Sequence, residues 1–402
     1  MPAEARRPER PKTLAVIETH PVQYRAPVYR ALHERFQIPI TVIYGSDFSV
    51  SGYYDKEFKS EFAWDTDLVS GYPHIFLSKT AEGGGRTYAT VSARGMYRSL
   101  RKLNPAAILL VGYSPRFHQW GCLHAWTSGR AVLFRGETAD RAQTGGAVTL
   151  GLRARLLRSF YRRCQRLIYI GQRSREHFLS YGCADDKLAF SPYCVDVSPF
   201  EVDEEARLRL RGPARDSLGI SEGDTVLLFS GKLSERKGPD LLVQAVSEMP
   251  AEKRERTLVV FLGNGEMLPQ LEQTAARSQV RIRCLGFQNQ KSISPWFHAA
   301  DLLVLPSRRL ETWGLVVNEA LHHGLPCVVS DAVGCSPDLI SAGATGEVFE
   351  TGSASALGAA LNRAWALVGR PEIRESCRVR IAAYSVDKAA EGIARAYEAA
   401  IA

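Results

Sequence analysis

The second half of this chain alternates short, continuous apolar runs with segments of helical periodicity, a pattern that few folds accept. The runs fall at 225–231 (TVLLFSG), 257–263 (TLVVFLG), 280–286 (VRIRCLG), 301–307 (DLLVLPS) and 326–331 (PCVVSD). A strand that is apolar at successive positions is buried on both faces and needs helices above and below, and strands separated by helices join through crossovers. The pattern predicts a parallel sheet wrapped by helices, with ligands bound at the carboxyl ends of its strands.

The first half repeats the pattern less regularly, with strands expected at 13–18, 38–44, 107–113, 131–134 and 167–170. At 402 residues the chain exceeds one ordinary core and suits two domains. Residues 198–223 carry Pro199, Pro213 and several acidic residues, with little apolar periodicity after Phe200, and read as a crossing segment. The expected fold is α/β: two Rossmann-like domains, 13–200 and 201–385, facing each other across a cleft.

Composition narrows the class. Hydrophobic residues at 45% and charged residues at 23% are the balance of a globular enzyme, and no stretch nears the roughly 18 apolar residues of a membrane span. Residues 1–12, with three prolines and mixed charge, read as a disordered tail rather than a signal peptide, so the expected location is the cytoplasm. Eight cysteines without a C-x-x-C pair point to reduced thiols, not zinc or a disulfide framework. Residues 1–200 hold 28 Lys and Arg against 17 Asp and Glu, whereas residues 201–402 hold 23 against 26. The basic half is suited to an anionic partner.

Two loops of the second half carry chemistry. G-K-L-S-E-R-K-G begins at Gly231, where a glycine lets backbone approach a ligand, and Lys232 and Lys237 place two ammonium groups within a span that suits a diphosphate. P-S-R-R-L-E-T-W-G-L-V-V-N-E-A begins at Pro306, and Gly314 can open a helix whose unpaired N–H groups attract an anion. Glu311 precedes that helix and Glu319 lies just over one turn inside it. Beyond the phosphates, one carboxylate can accept sugar hydroxyls and the other a ribose diol. Glutamates so placed also simply complement a helix dipole, so the flanking sequence decides between the readings.

Further runs follow in order: F-L-G-N-G-E at Phe261, G-L-P-C-V-V-S-D at Gly324 and G-A-T-G-E-V-F at Gly343. Together with the two loops they make residues 231–346 resemble the nucleotide-sugar domain of family 4 glycosyltransferases, the retaining enzymes of the GT-B fold. The resemblance implies that Glu311 meets the donor sugar and that Glu319 holds the ribose. It implies that backbone at Thr312, Trp313, Gly314 and Leu315, with Lys232 and Lys237, holds the diphosphate. Gly263, Asn264, Gly265 and the loop ending at Phe287 would flank the base, and a last helix, 386–402, would return to the first domain. Lys232 stands where the family more often has arginine, and Cys335 where a second glycine is common.

The first strand ends in E-T-H-P-V-Q-Y-R from Glu18, without a glycine-rich turn, so His20, Gln23 and Tyr24 are expected to face the cleft. A similar opening occurs in relatives associated with bacterial polysaccharide and glycoconjugate synthesis, which implies an acceptor or sugar contact. Where many family members carry a histidine after the strand at 131–134, this chain has Arg135. Arg135 and Glu137 are candidates to replace it, or to form a structural ion pair, and His118 is a weaker acceptor-side candidate. Residues 150–172 read as an amphipathic helix with six arginines, able to lie on the inner face of an anionic membrane or to pack as an ordinary surface helix. Asp65-Thr-Asp67 matches a metal-holding D-x-D but lies far from the nucleotide loops, so no metal is expected.

The expected activity is transfer of a sugar, with retention, from a nucleotide diphosphate sugar (a UDP-sugar ahead of a GDP-sugar) to an acceptor hydroxyl, with no cofactor. The acceptor would be a polysaccharide, a lipid-linked intermediate or a small molecule. Glu311, Lys237, Lys232, Arg135 and His20 are the catalytic candidates. A nucleotide-sugar 2-epimerase competes with this reading, and a nucleic-acid-binding protein would rest on the Arg-rich helix alone.

Overall fold

The computed structural model describes residues 12–50, 66–87, 90–137, 151–221 and 223–402, and the backbone alone at 53–55, 60–62 and 147–150. Residues 1–11 of the expected tail and Asp65 of the D-x-D lie outside these residues. Asp67 is described, and its Oδ1 accepts from the backbone N–H groups of Val69 and Ser70 at 3.0 Å.

In the first domain the order is β1 (Leu14–Glu18), α1 (Ala26–Glu34), β2 (Ile40–Tyr44), β3 (Tyr53–Asp55), β4 (Ser60–Phe62), β5 (His74–Phe76), α2 (Met96–Leu103), β6 (Ala107–Leu110), α3 (Arg116–Thr127), β7 (Ala131–Gly136), α4 (Ala147–Arg163), β8 (Arg166–Tyr169), α5 (Gln172–Ser180) and β9 (Leu188–Phe190). Seven of these strands form a parallel sheet in the order β5-β2-β1-β6-β7-β8-β9, while β3 and β4 pair as a separate antiparallel hairpin. The second domain runs α6 (Glu204–Leu218), β10 (Thr225–Ser230), α7 (Pro239–Ser247), α8 (Ala251–Glu255), β11 (Thr257–Leu262), α9 (Leu268–Ser278), β12 (Arg281–Cys284), α10 (Ser294–Ala299), β13 (Leu302–Leu305), α11 (Leu315–His322), β14 (Cys327–Ser330), α12 (Ser336–Leu339), β15 (Gly346–Phe349), α13 (Ala354–Ala364), α14 (Pro371–Ala382) and α15 (Val386–Ile401). Its six strands are parallel, in the order β12-β11-β10-β13-β14-β15. Both sheets are the helix-covered parallel sheets that the apolar runs predict.

Each face of the first sheet has its own helices. Leu14, Val16 and Leu109 pack with Tyr29 and Leu32 of α1 and with Ile393 and Tyr397 of α15, so the last helix crosses back onto the first domain. Ile17, Ile108 and Phe134, on the other face, pack with Phe117, Tyr161 and Phe178 of α3, α4 and α5.

Three expectations are corrected. Residues 198–223 are not an open crossing, because α6 occupies most of them. Asp203 caps its start by accepting from the Ala206 N–H at 2.7 Å, and Arg211 and Arg215 anchor it to the buried Asp301. The amphipathic helix expected at 150–172 stops at Arg163, since Leu167 and Ile168 leave the helix to enter the sheet as β8. The strands β3, β4, β5, β9 and β15 are absent from the expected set. Each has three or four residues, in a separate hairpin or at a sheet edge, too short to give a periodic signal.

The domains touch where α5 begins. The Gln172 N–H donates to both carboxylate oxygens of Asp338 at 3.0 and 3.1 Å, and Arg173 donates to Asp331 O at 2.7 Å and Ser336 Oγ at 2.9 Å. Gly171 is needed here, because a Cβ would fall 2.4 Å from the Trp313 ring and 2.9 Å from Asp338.

Candidate active site

The loops after β10 and β13 meet at the carboxyl end of the second sheet. Arg308 grips Asp240 through both guanidinium nitrogens at 2.7 and 2.6 Å, and its N–H donates to Arg236 O at 2.8 Å, stitching the loops together. Between them Lys237 ion-pairs with the Glu311 carboxylate, which also accepts from Ser307 Oγ at 2.9 Å and has the Arg236 guanidinium 3.9 Å away. Glu311 is thereby charge-compensated and fixed in direction. Gly314, at φ +101, caps the start of α11, and Gly334 packs so tightly beneath that a Cβ would sit 1.8 Å from Thr312 O.

A cleft of about 570 Å³ opens on this loop pair, lined by Gly231, Lys237, Glu311, Thr312, Trp313, Gly314, Leu315 and Glu319 from the expected donor set, with Phe287 at one end. Burial pushes the Glu319 carboxyl up to about 7, and no side-chain partner is found for it among the described residues. Gly263 and Gly265 do not line the cleft. They back the loop, since a Cβ at either would fall 2.0 Å from Gly231 O or 2.2 Å from Leu233 O. Asn264 accepts the Leu233 N–H through its backbone oxygen at 3.0 Å, and Lys232 stands half-buried on that same loop. The sequence reading missed Asn289 and Gln290 beside Phe287. Asn289 Oδ1 and Gln290 Oε1 are buried without a hydrogen-bond partner among the described residues, and buried polar groups are usually completed by an ordered water or a ligand.

The facing wall belongs to the first domain. Gln23 and Tyr24 line this cleft too, and Tyr24 and Glu137 also line a second cavity of about 450 Å³ that contains His20, His118 and Arg135, so the two spaces adjoin. Burial, then the Arg25 charge, lowers His20 to about 4, and burial lowers His118 to about 4, so both rings are neutral near pH 7. His20 stacks on Phe48 at 4.3 Å, and His118 bonds Ser114 O at 3.1 Å. Glu137 is not paired with Arg135. Its partner is Arg25, at 2.7 Å, which also holds the buried Glu18 at 2.8 Å. Burial pushes the Glu137 carboxyl up, but Arg25 and Arg135 pull it below its usual value. Arg135 is 4% exposed and turns toward Ser191 Oγ (2.7 Å) and Pro192 O (3.3 Å), bracing the segment that leads to Tyr193. Arg25 and Tyr193 were not among the sequence candidates. A basic residue seven positions after a strand-end glutamate was the one available signal for Arg25.

Tyr24, Tyr193, Trp313 and Tyr384 form an aromatic chain across the domain boundary, with centroid separations of 5.0, 5.7 and 5.8 Å. Asn318 ties it down by accepting from Trp313 Nε1 at 2.8 Å and donating to Tyr193 O at 3.2 Å.

Two facing parallel-sheet domains with a helix N-terminus on the cleft define the GT-B class. Solved structures agree in fold. A glycosyltransferase from Rickettsia africae matches with a TM-score of 0.69 at 13% identity over 96% of this chain and 98% of its own. Anabaena Alr3699/HepE in complex with UDP matches with a TM-score of 0.70 at 16% identity over 95% and 98%. Residues 211–397 match the family described as glycosyl transferases group 1, so the second domain is a group 1 domain carried in a GT-B fold. Among curated relatives, a D-inositol 3-phosphate glycosyltransferase of Xylanimonas cellulosilytica is 34% identical over 156 residues, 38% of this chain and 37% of that protein. Its namesake in Geodermatophilus obscurus is 32% identical over 231 residues, 55% and 49%. The aligned region spans less than half the length of either relative.

Proposed function

We propose that the protein is a retaining glycosyltransferase that moves a sugar from a nucleotide diphosphate sugar to an acceptor hydroxyl. The observation that carries this reading is the Glu311 carboxylate, fixed by Lys237 and Ser307 at the mouth of α11, with the unpartnered Glu319 in the same cleft. In this reading the backbone N–H groups at the start of α11 and Lys237 take the diphosphate, and Glu319 accepts from the ribose diol. Asn289 and Gln290 meet the base, and UDP is favoured because solved neighbours of this fold are complexes with UDP and with UDP-glucose.

As the bond from sugar C1 to phosphate oxygen breaks, the acceptor oxygen bonds C1 on the same face and its proton passes to the departing phosphate oxygen. Lys237 and the helix N-terminus stabilise the leaving charge. Glu311, already compensated, accepts sugar hydroxyls and is poorly placed to be a nucleophile. Across the cleft, Gln23, Tyr24, Glu137 and the two neutral histidines provide hydrogen bonds for an acceptor. An acceptor carried at the inner face of a membrane, met through the Arg-rich helix, belongs to the same reading.

A thermal-shift panel of nucleoside diphosphates, followed by product analysis with and without acceptor, tests it. Stabilisation by UDP and acceptor-dependent release of UDP are expected. Isomerised donor formed without acceptor, or no response to any nucleoside diphosphate, would refute the transferase reading.

A further inference from the structure

The outer helical layer of the first domain carries an apolar and basic surface that neither the core nor the cleft uses. Helices α2, α3 and α4 are side by side in this layer: the Tyr97 and His124 rings are 5.4 Å apart, and Trp126 lies 5.8 Å from Phe160 with the Arg163 guanidinium 5.5 Å from its ring centre. Their inner sides fill the core, yet their outer sides do not turn uniformly polar. Tyr97 is 64% exposed, Trp120 57%, Leu152 62% and Leu156 63%. An ordinary surface helix puts polar side chains on its outer face.

The charge of this layer is one-sided. Helices α2, α3 and α4 together hold nine Lys and Arg and no Asp or Glu. Arg155, Arg158 and Arg162 are exposed, and among the described residues none has a carboxylate partner. Leu152, Leu156 and Leu179 wall a groove of about 760 Å³ between α4 and the end of α5, with those arginines along it.

We propose that this layer docks the protein on an anionic lipid bilayer. Trp and Tyr side chains favour the membrane–water interface, leucines enter the acyl boundary, and arginines bind anionic headgroups. A second copy of the chain would set like charge against like charge, and a nucleic acid would leave the leucine-walled groove without a base to stack. The face is also connected to the cleft: Arg153 of α4 donates to the Tyr113 hydroxyl at 3.1 Å, and Tyr113 lines the first-domain cavity. Docking therefore brings membrane-borne acceptor headgroups beside that cavity. Only this last consequence rests on the transferase reading; binding to lipid does not.

Sedimentation of the full chain with phosphatidylcholine vesicles, with and without phosphatidylglycerol, at low and high salt, tests the proposal. Binding is expected only with phosphatidylglycerol, weakening at high salt as surface charge is screened. It should fall about tenfold or more in R155E/R158E/R162E, and also in W120S/L156S, which keeps the charge. Both variants should keep the wild-type melting temperature and nucleotide response. As a check independent of these variants, brominated lipid should quench wild-type tryptophan emission, and W120F should lose part of that quenching. Equal binding to neutral vesicles, undiminished binding by folded variants, or a solution dimer abolished by the same substitutions overturns the proposal. Vesicle binding without a nucleotide response would sink the transferase reading and leave the docking face standing.

Discussion

Glu319 sits in the second turn of α11 with no side-chain partner among the described residues, and burial raises its carboxyl to about 7 from an ordinary 4.5. The folded protein therefore holds this proton more tightly than the unfolded chain. That contribution to stability is fully present below about pH 4.5 and is lost as pH rises through 7. We expect E319Q to be more stable than wild type at pH 8 by about 1 to 2 kcal/mol, discounted for the opening of the side chain on the cleft, and to match it near pH 4.5. Urea titrations at the two pH values read this directly, and an unchanged difference between them would rule it out. Glu311 and Lys237 were legible as residues because their spacing and neighbours imply a phosphate site; their mutual ion pair was not. K237A and E311A should each lower kcat by about 10²-fold or more while the circular dichroism stays native, and near wild-type turnover in both would remove them from the site. Gly334 matters for a different reason. G334A pushes a methyl group into Thr312 O and should cost about 1 to 3 kcal/mol in thermal or urea denaturation, loosening the loop that carries Glu311.

At the scale of elements, the central strands were legible because double-sided burial writes a continuous apolar run. Three edge strands, β5, β9 and β15, and the exact end of α4 were not, whereas β12, an edge of the second sheet, was. The short edges take their cue from the partner they find in three dimensions; a strand is legible at 167–170, but the arginines on either side continue a helical pattern, so only the pairing of Leu167 and Ile168 with β7 and β9 places the end of α4. The segment α6 was hidden for the converse reason. Its arginines look solvated in sequence, yet Arg211 and Arg215 fold inward onto Asp301 and the carbonyls at the end of α10. The last helix is amphipathic in sequence, but which surface it covers is a tertiary fact. Ile393, 1% exposed, lies in the core of the first domain, so I393D should cost roughly 3 to 5 kcal/mol and lower the urea midpoint of that domain. A change confined to the second domain would contradict the packing.

At the scale of the whole molecule, the cleft depends on how the domains are held. Asp338 caps α5 through the Gln172 N–H and accepts from Tyr384 at 3.1 Å, so one carboxylate joins the first domain, the α12 loop and the segment before α15. D338A should loosen this contact, lower the melting temperature by several degrees and enlarge the radius of gyration in solution scattering without nucleotide. An unchanged scattering profile would show that the aromatic chain through Tyr193 and Trp313 suffices. The sequence by itself determined two helix-wrapped parallel sheets and singled out the two loops that meet at the candidate site, because strand burial, glycine placement and carboxylate spacing are local properties. Only the tertiary structure decided that Glu137 pairs with Arg25 and not with Arg135, that Arg135 braces the domain crossing, and that Asn289 and Gln290 come to line the cleft with buried side-chain oxygens that have no partner among the described residues. Those outcomes depend on which side chains meet across long stretches of chain, 56 residues from Arg135 to Ser191 and 112 from Arg25 to Glu137, and neither periodicity nor spacing encodes such a meeting.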